Sequence, residues 1–144
     1  NLANVGDEPG EMDDALPYVD LGTGRTVKAI TAGTSYPCAI LDNDKVKCWG
    51  SGQLGQLGYG DVANRGDQPG EMGDALPYVD LGTGRTAKAI TANYHHTCAL
   101  LDNDEVKCWG YNFSGQLGLG DQVARGDMAN QMGDTLPYVN LLGP

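Results

Sequence analysis

The chain reads as all-β, built from tandem copies of one antiparallel unit, and three observations carry that reading. Shifting the 144-residue sequence by sixty positions superimposes Cys38 on Cys98, Cys48 on Cys108 and Trp49 on Trp109. The 22 glycines and 7 prolines are spread along it, with no long helical periodicity between them. Short runs of β-branched and small residues separate these turn signals, as in a meander of short strands.

The period sets the organisation. LPYVDLGTGRT recurs unchanged at 16–26 and 76–86, and RGDMANQMGDTLPYVNL near the end answers RGDQPGEMGDALPYVDL. About seven positions in ten match between the two complete copies. Residues 1–60 are repeat one, 61–120 repeat two, and 121–144 a partial third. Because 121–144 repeat the content of 1–24, the chain is expected to be a window of a longer array.

Each repeat predicts four strands. PYVDL at 17–21 lies between a proline and a GTG turn, and TVKAITA at 26–32 ends at Gly33. CAIL at 38–41 and KVKCWG at 45–50 flank Asp42, Asn43 and Asp44. Residues 50–76 are too long for slack in a compact domain and predict a folded surface excursion.

The last two strands bear on the cysteines. A three-residue loop with its final residue left-handed places Asp44 at positive φ, which aspartate tolerates better than most residues. Leu41 then faces Lys45, Ile40 faces Val46, Ala39 faces Lys47, and Cys38 falls opposite Cys48. Opposed residues sit about 4.5–5.5 Å apart at Cα, within the roughly 4.4–6.8 Å a disulfide accepts. Disulfides Cys38–Cys48 and Cys98–Cys108 are the leading reading, each contributing roughly 2–3 kcal/mol in the chain-entropy model. Reduced core thiols and a metal or redox role are the alternatives. Zinc would need two more ligands per hairpin, and no CxxC is present.

The formal net charge of −10 sets the class of partner. It repels nucleic-acid phosphate and anionic lipid, so neither is expected. No apolar run reaches membrane-spanning length, and the first residues carry no secretion signal. Cysteines in two identical pairs favour an oxidising location, outside the cell or on its surface.

HTCALLDNDEVKCWGYNFSGQLGLGD at 96–121 resembles the regulator-of-chromosome-condensation repeat family, in which His-Thr, a short hairpin, Trp-Gly and Gly-Gln-Leu-Gly recur. The resemblance is to the secreted, bacterial type of tandem repeat. The resemblance implies four-stranded blades of β-propeller type, too few here to close alone, since propellers typically use four to eight. Repeat one departs from the pattern: Tyr36 and Pro37 stand where repeat two has His96 and Thr97, and SGQL at 51–54 replaces YNFS at 111–114. Asp44 and Asp104 stand where the family usually has glycine. Nucleotide exchange and chromatin contact belong to particular propellers and do not transfer with the fold.

Several motifs invite a site. Asp42, Asp44, Asp102 and Asp104 are candidate calcium ligands, although two carboxylates per turn fall short of a six- to eight-oxygen cage. Asp7, Glu11, Asp13 and Asp14 form a second acidic cluster. Arg65-Gly66-Asp67 and Arg125-Gly126-Asp127 spell an adhesion tripeptide, but repeat one keeps the Gly-Asp with Val5 in the arginine place, which reads as turn chemistry. Adjacent His95 and His96 point to opposite faces of a strand. Asn112-Phe113-Ser114 is a glycosylation sequon. No catalytic set recurs in both copies, so an enzyme is not expected, nor any cofactor beyond the candidate calcium. The function predicted is a non-catalytic extracellular structural protein, a segment of a longer array forming a surface fibre or sheath. The alternative is part of a closed β-propeller acting as a protein-binding module. The expected partners are like repeats in self-association, or another protein.

Overall fold

The structure is a computed structural model describing residues 4–143. Two three-stranded antiparallel sheets share one topology. The first contains β1 (Val27–Ala32), β2 (Pro37–Leu41) and β3 (Val46–Cys48), and the second β4 (Ala87–Asn93), β5 (His96–Leu101) and β6 (Val106–Gly110). One-turn 3-10 segments at Asp13–Ala15, Gly73–Ala75 and Gly133–Thr135 mark the same place in each copy.

The tight hairpin forms as its turn residues dictate. Asp44 and Asp104 take φ of 62° and 66°, and the Leu41 N–H bonds the Lys45 carbonyl at 2.9 Å. The register pairs Ile40 with Val46, Ala39 with Lys47 and Cys38 with Cys48. β1 carries a bulge at Lys28, since Val27 pairs Leu41 while Ala29 pairs Ile40. The Lys28 ammonium turns to the Asp44 carboxylate, and Lys88 repeats this with Asp104.

The fourth strand expected in each repeat is not one. Residues 17–21 are extended but unpaired within their own copy. Their counterparts in the next copy lie along the outer strand of the preceding sheet, each with one backbone bond: Val79 N–H to the Val46 carbonyl, and Val139 N–H to that of Val106, both 2.8 Å. The proline that opens each run has no N–H to extend that ladder. The 50–76 excursion is folded: Gly50 and Arg65 form a reciprocal bridge, and the Glu71 carboxylate accepts from the Gly66 and Gln68 N–H groups.

Copies are joined by a buried lysine. Lys47, 2% exposed, donates to the Leu21 carbonyl of its own repeat at 2.9 Å and to the Gly73 carbonyl of the next at 2.7 Å. Lys107 repeats this with Leu81 and Gly133, at 3.1 and 2.7 Å. The ring of Tyr78 covers the Lys47 ammonium at 4.9 Å, and Tyr138 covers that of Lys107 at 4.7 Å. Burial holds the Lys107 pKa below its ordinary value, against the pull of Asp134 and Asp80. Beside this joint, the Asp74 carboxylate accepts the Thr23 N–H at 2.9 Å and its hydroxyl at 2.6 Å, as Asp134 does from Thr83.

The core therefore lies between repeats as much as within them. Trp109 is fully buried, its indole N–H donating 3.0 Å to the Gln56 carbonyl of repeat one, while Trp49 is only partly buried. Leu76 and Leu136 are 1% exposed where Leu16 is 40% exposed. One sequence thus has different burial according to whether a neighbouring copy covers it.

Two outcomes follow. Trp109→Ala is expected to cost about 3–5 kcal/mol in denaturant unfolding, and Trp49→Ala clearly less; equal losses would contradict the shared core. Hydrogen bonds from Thr23 and Thr83 hold the Asp74 and Asp134 carboxyls below the ordinary 3.8. Because the folded value is the lower one, their stabilisation is present above 3.8 and is lost as pH falls through the depressed value. Thermal melts in that acid range should show a flatter pH dependence for the Asp74→Asn, Asp134→Asn double variant than for the parent.

Candidate functional site

The chemistry-bearing residues singled out by the sequence are mostly committed to holding the fold. Cys38 and Cys48 are bonded to each other, as are Cys98 and Cys108, with Cα atoms 4.1 Å apart in each pair. Tyr59 clamps the first bridge by accepting the Cys48 N–H and donating to the Cys48 carbonyl, at 3.0 and 2.8 Å. Burial pushes the Tyr59 phenol well above its ordinary value.

The four turn aspartates each have internal partners. Asp42 and Asp102 accept the N–H of Thr26 and Thr86 at 3.0 Å and face Arg25 and Arg85 at 3.5 Å. Asp44 and Asp104 pair with the bulge lysines already described. Among the described residues, no three His, Cys, Asp or Glu side chains gather as a metal site. In the acidic cluster of repeat one, Glu11 accepts the N–H groups of Gly6 and Glu8, which lower its pKa.

The tripeptide arginines are turned inward. Arg65 bonds Asp61 at 2.7 Å and the carbonyls of Ala63 and Asn64, and Arg125 bonds Asp121 at 2.7 Å. The sequon asparagine has no exposed surface at all. Asn112 donates to the Asp121 and Val123 carbonyls at 3.1 and 3.0 Å and accepts the Leu117 N–H at 2.9 Å. Repeat one has Gly52 at that place and solves the same closure from the other side: the Asn64 side chain accepts the Gly52 N–H at 3.1 Å. A Cβ on Gly52 would stand 2.1 Å from the Ala63 carbonyl oxygen, so no side chain fits there.

What distinguishes the copies collects in one place. Eighteen of sixty aligned positions differ between the full repeats, and nine of those fall in 33–37 and 51–54 with their counterparts 93–97 and 111–114. The two stretches adjoin in space: the Ser51 N–H bonds the Ser35 carbonyl, and the Tyr111 N–H that of His95, both at 2.9 Å. Part of this divergence builds the joint between copies. Tyr36 is buried and donates 2.5 Å to the His96 carbonyl, and the Thr97 hydroxyl lies 3.1 Å from the Tyr36 oxygen. Its ring needs Gly33, where a Cβ would be 2.1 Å from the Tyr36 ring. Burial lowers the pKa of His96, which sits on strand β5.

The rest of the divergence is aromatic, with Tyr94 and Phe113 exposed and His95 and Tyr111 half-buried. Thr34, Ser35, Ser51 and Gln53 in repeat one become Tyr94, His95, Tyr111 and Phe113 in repeat two. Tyr94 meets His95 edge-on at 5.3 Å, and the rings of Tyr111 and Phe113 lie 4.8 Å apart, tilted by 44°. Tyr94 and Phe113 are 70% and 62% exposed. Neither these aromatics nor the buried lysines were reached by motif reading; subtracting one copy from the other would have found the aromatics.

Asn112→Ala should cost about 1–3 kcal/mol in denaturant unfolding by stranding buried backbone groups. Folded protein made in a glycosylating host should carry no glycan at Asn112; an occupied sequon would overturn this placement.

Comparison with known proteins follows the same geometry. Residues 27–56 and 87–116, the two sheets and their exits, match the regulator of chromosome condensation (RCC1) repeat. The chain is 31% identical over 103 residues to the ultraviolet-B receptor UVR8 of Arabidopsis thaliana, covering 71% of this chain and 21% of that protein. It is likewise 31% identical over 103 residues to the RCC2 homolog of Xenopus laevis, covering 70% of this chain and 18% of that one. The chain thus spans about a fifth of the length of these relatives. Prp20p of Saccharomyces cerevisiae superposes with a TM-score of 0.55 at 21% identity, over 82% of this chain and 27% of that structure, a likeness of fold. With two matched repeats and two sheets of one topology, the chain belongs to the RCC1 repeat family and carries tandem blades of β-propeller type.

Proposed function

We propose that this chain is a protein-binding segment of a β-propeller. The observation that carries the reading is that half of the repeat-to-repeat differences cluster on one loop pair, and that those not taken up by the joint between copies turn polar residues into aromatics. A purely structural array gains nothing from exchanging four polar surface residues for aromatics in one copy. A binding face does, since aromatic residues are enriched at the centres of protein interfaces. The comparisons support this over a fibre or sheath role, because the Prp20p structure is described together with binding to Gsp1p and histones. Binding rather than catalysis is the role assigned. Hairpins closed by disulfides fit an oxidising, extracellular setting.

The test exchanges Tyr94→Thr, His95→Ser, Tyr111→Ser and Phe113→Gln, the residues repeat one already carries at these places. Proteins crosslinked to the parent chain and lost from the variant, with unchanged unfolding, are the expected result. Identical capture by both chains, or growth into filaments with no foreign protein retained, would overturn the reading.

A further inference from the structure

Building on that reading, we propose that the exposed rings of Tyr94 and Phe113 in repeat two, on adjoining loops beside the half-buried His95 and Tyr111, dock a basic, arginine-bearing segment of the partner. Nothing in the fold requires aromatics there, since repeat one closes the same loops with Thr34, Ser35, Ser51 and Gln53. The face is built, not incidental. The Tyr111 N–H to the His95 carbonyl ties the two loops together, and the Tyr94 carbonyl accepts the Thr34 N–H of repeat one at 3.1 Å. Tyr94 is held at φ 48°, a left-handed backbone that a bulky residue rarely adopts, so its ring is set in place against local preference.

Charge chooses the occupant. The protein carries −10, which draws a basic segment toward it and repels a second copy of the same chain. Residues 93–97 and 110–114 contain no Asp, Glu, Lys or Arg, so an arriving cation meets ring faces rather than a carboxylate. Stacking cations on tyrosine is already the habit of this molecule: Arg65 lies 5.3 Å over Tyr59, and Lys45 lies 4.9 Å over Tyr78. Arginine suits exposed rings better than lysine, because a planar, weakly hydrated guanidinium stacks flat on them.

The experiment is fluorescence anisotropy on the full chain at fixed salt. Its probes are an Arg-Gly peptide, the matched Lys-Gly peptide, and neutral and acidic peptides of equal length. The Arg-Gly peptide should bind best, and Tyr94→Thr with Phe113→Gln should weaken it about tenfold. Tyr18→Thr, which alters an exposed ring elsewhere, should leave it unchanged. Equal binding of the arginine peptide by parent and double variant would reduce the attraction to net charge and overturn the proposal. Binding of the neutral or acidic peptide that depends on Tyr94 and Phe113 would also overturn it, while leaving the protein-binding reading intact. Self-association of the parent, lost in the double variant, would assign the face to a second copy and overturn it as well.

Discussion

A lysine ammonium removed from water must find full compensation, and here two consecutive repeats supply it jointly. Lys47 is gripped by one carbonyl from its own GTG turn and one from the 3-10 turn of the next copy, under a tyrosine from that copy. Removing any of these would strand a buried charge, which costs far more than the pair contributes. Hairpin, turn and following repeat are therefore locked in one arrangement. The Thr23–Asp74 bonds and the single Val79–Val46 backbone bond fall into register around that point.

From this joint follows a division of labour along each repeat. Positions that meet a neighbouring copy, such as Leu76, Trp109 and Lys107, are buried and scarcely free to vary. Where they do vary, the change is matched by its neighbours. Tyr36 comes with Gly33, and the asparagine that closes the excursion sits at 64 in one copy and at 112 in the other. Tyr94 and Phe113 at the loop tips meet no such constraint, and there polar residues become exposed aromatics. Function in a repeat protein sits where packing leaves the side chain free.

Much of the fold was legible in local chemistry. The sixty-residue period, the Asp-Asn-Asp turn and the pairing of Cys38 with Cys48 rest on a loop length and a two-residue alternation, both properties of contiguous sequence. The strand predicted at 17–21 is absent in every copy: even where the preceding sheet lies alongside, the run makes a single backbone bond to it, and its opening proline has no N–H to extend the ladder. The tripeptide's reading as turn chemistry fits its inward-turned arginines, while the sequon is legible as a motif and not as a buried residue. A three-residue motif does not say that Asn112 is buried against the 121–123 loop, or that Arg65 folds back on Asp61.

By itself, then, the sequence determined the repeat, the all-β class, the tight hairpin and the acidity. These depend on residue type, spacing and summed charge, which need no coordinates. Only the tertiary structure decided that lysines bind the copies together, that each sheet's outer strand gains one backbone bond from its successor, and that exposed Tyr94 and Phe113 stand on adjoining loops. Those outcomes depend on residues that meet from 16 to 33 positions apart along the chain, and burial between copies, rather than identity within one, selects most of them.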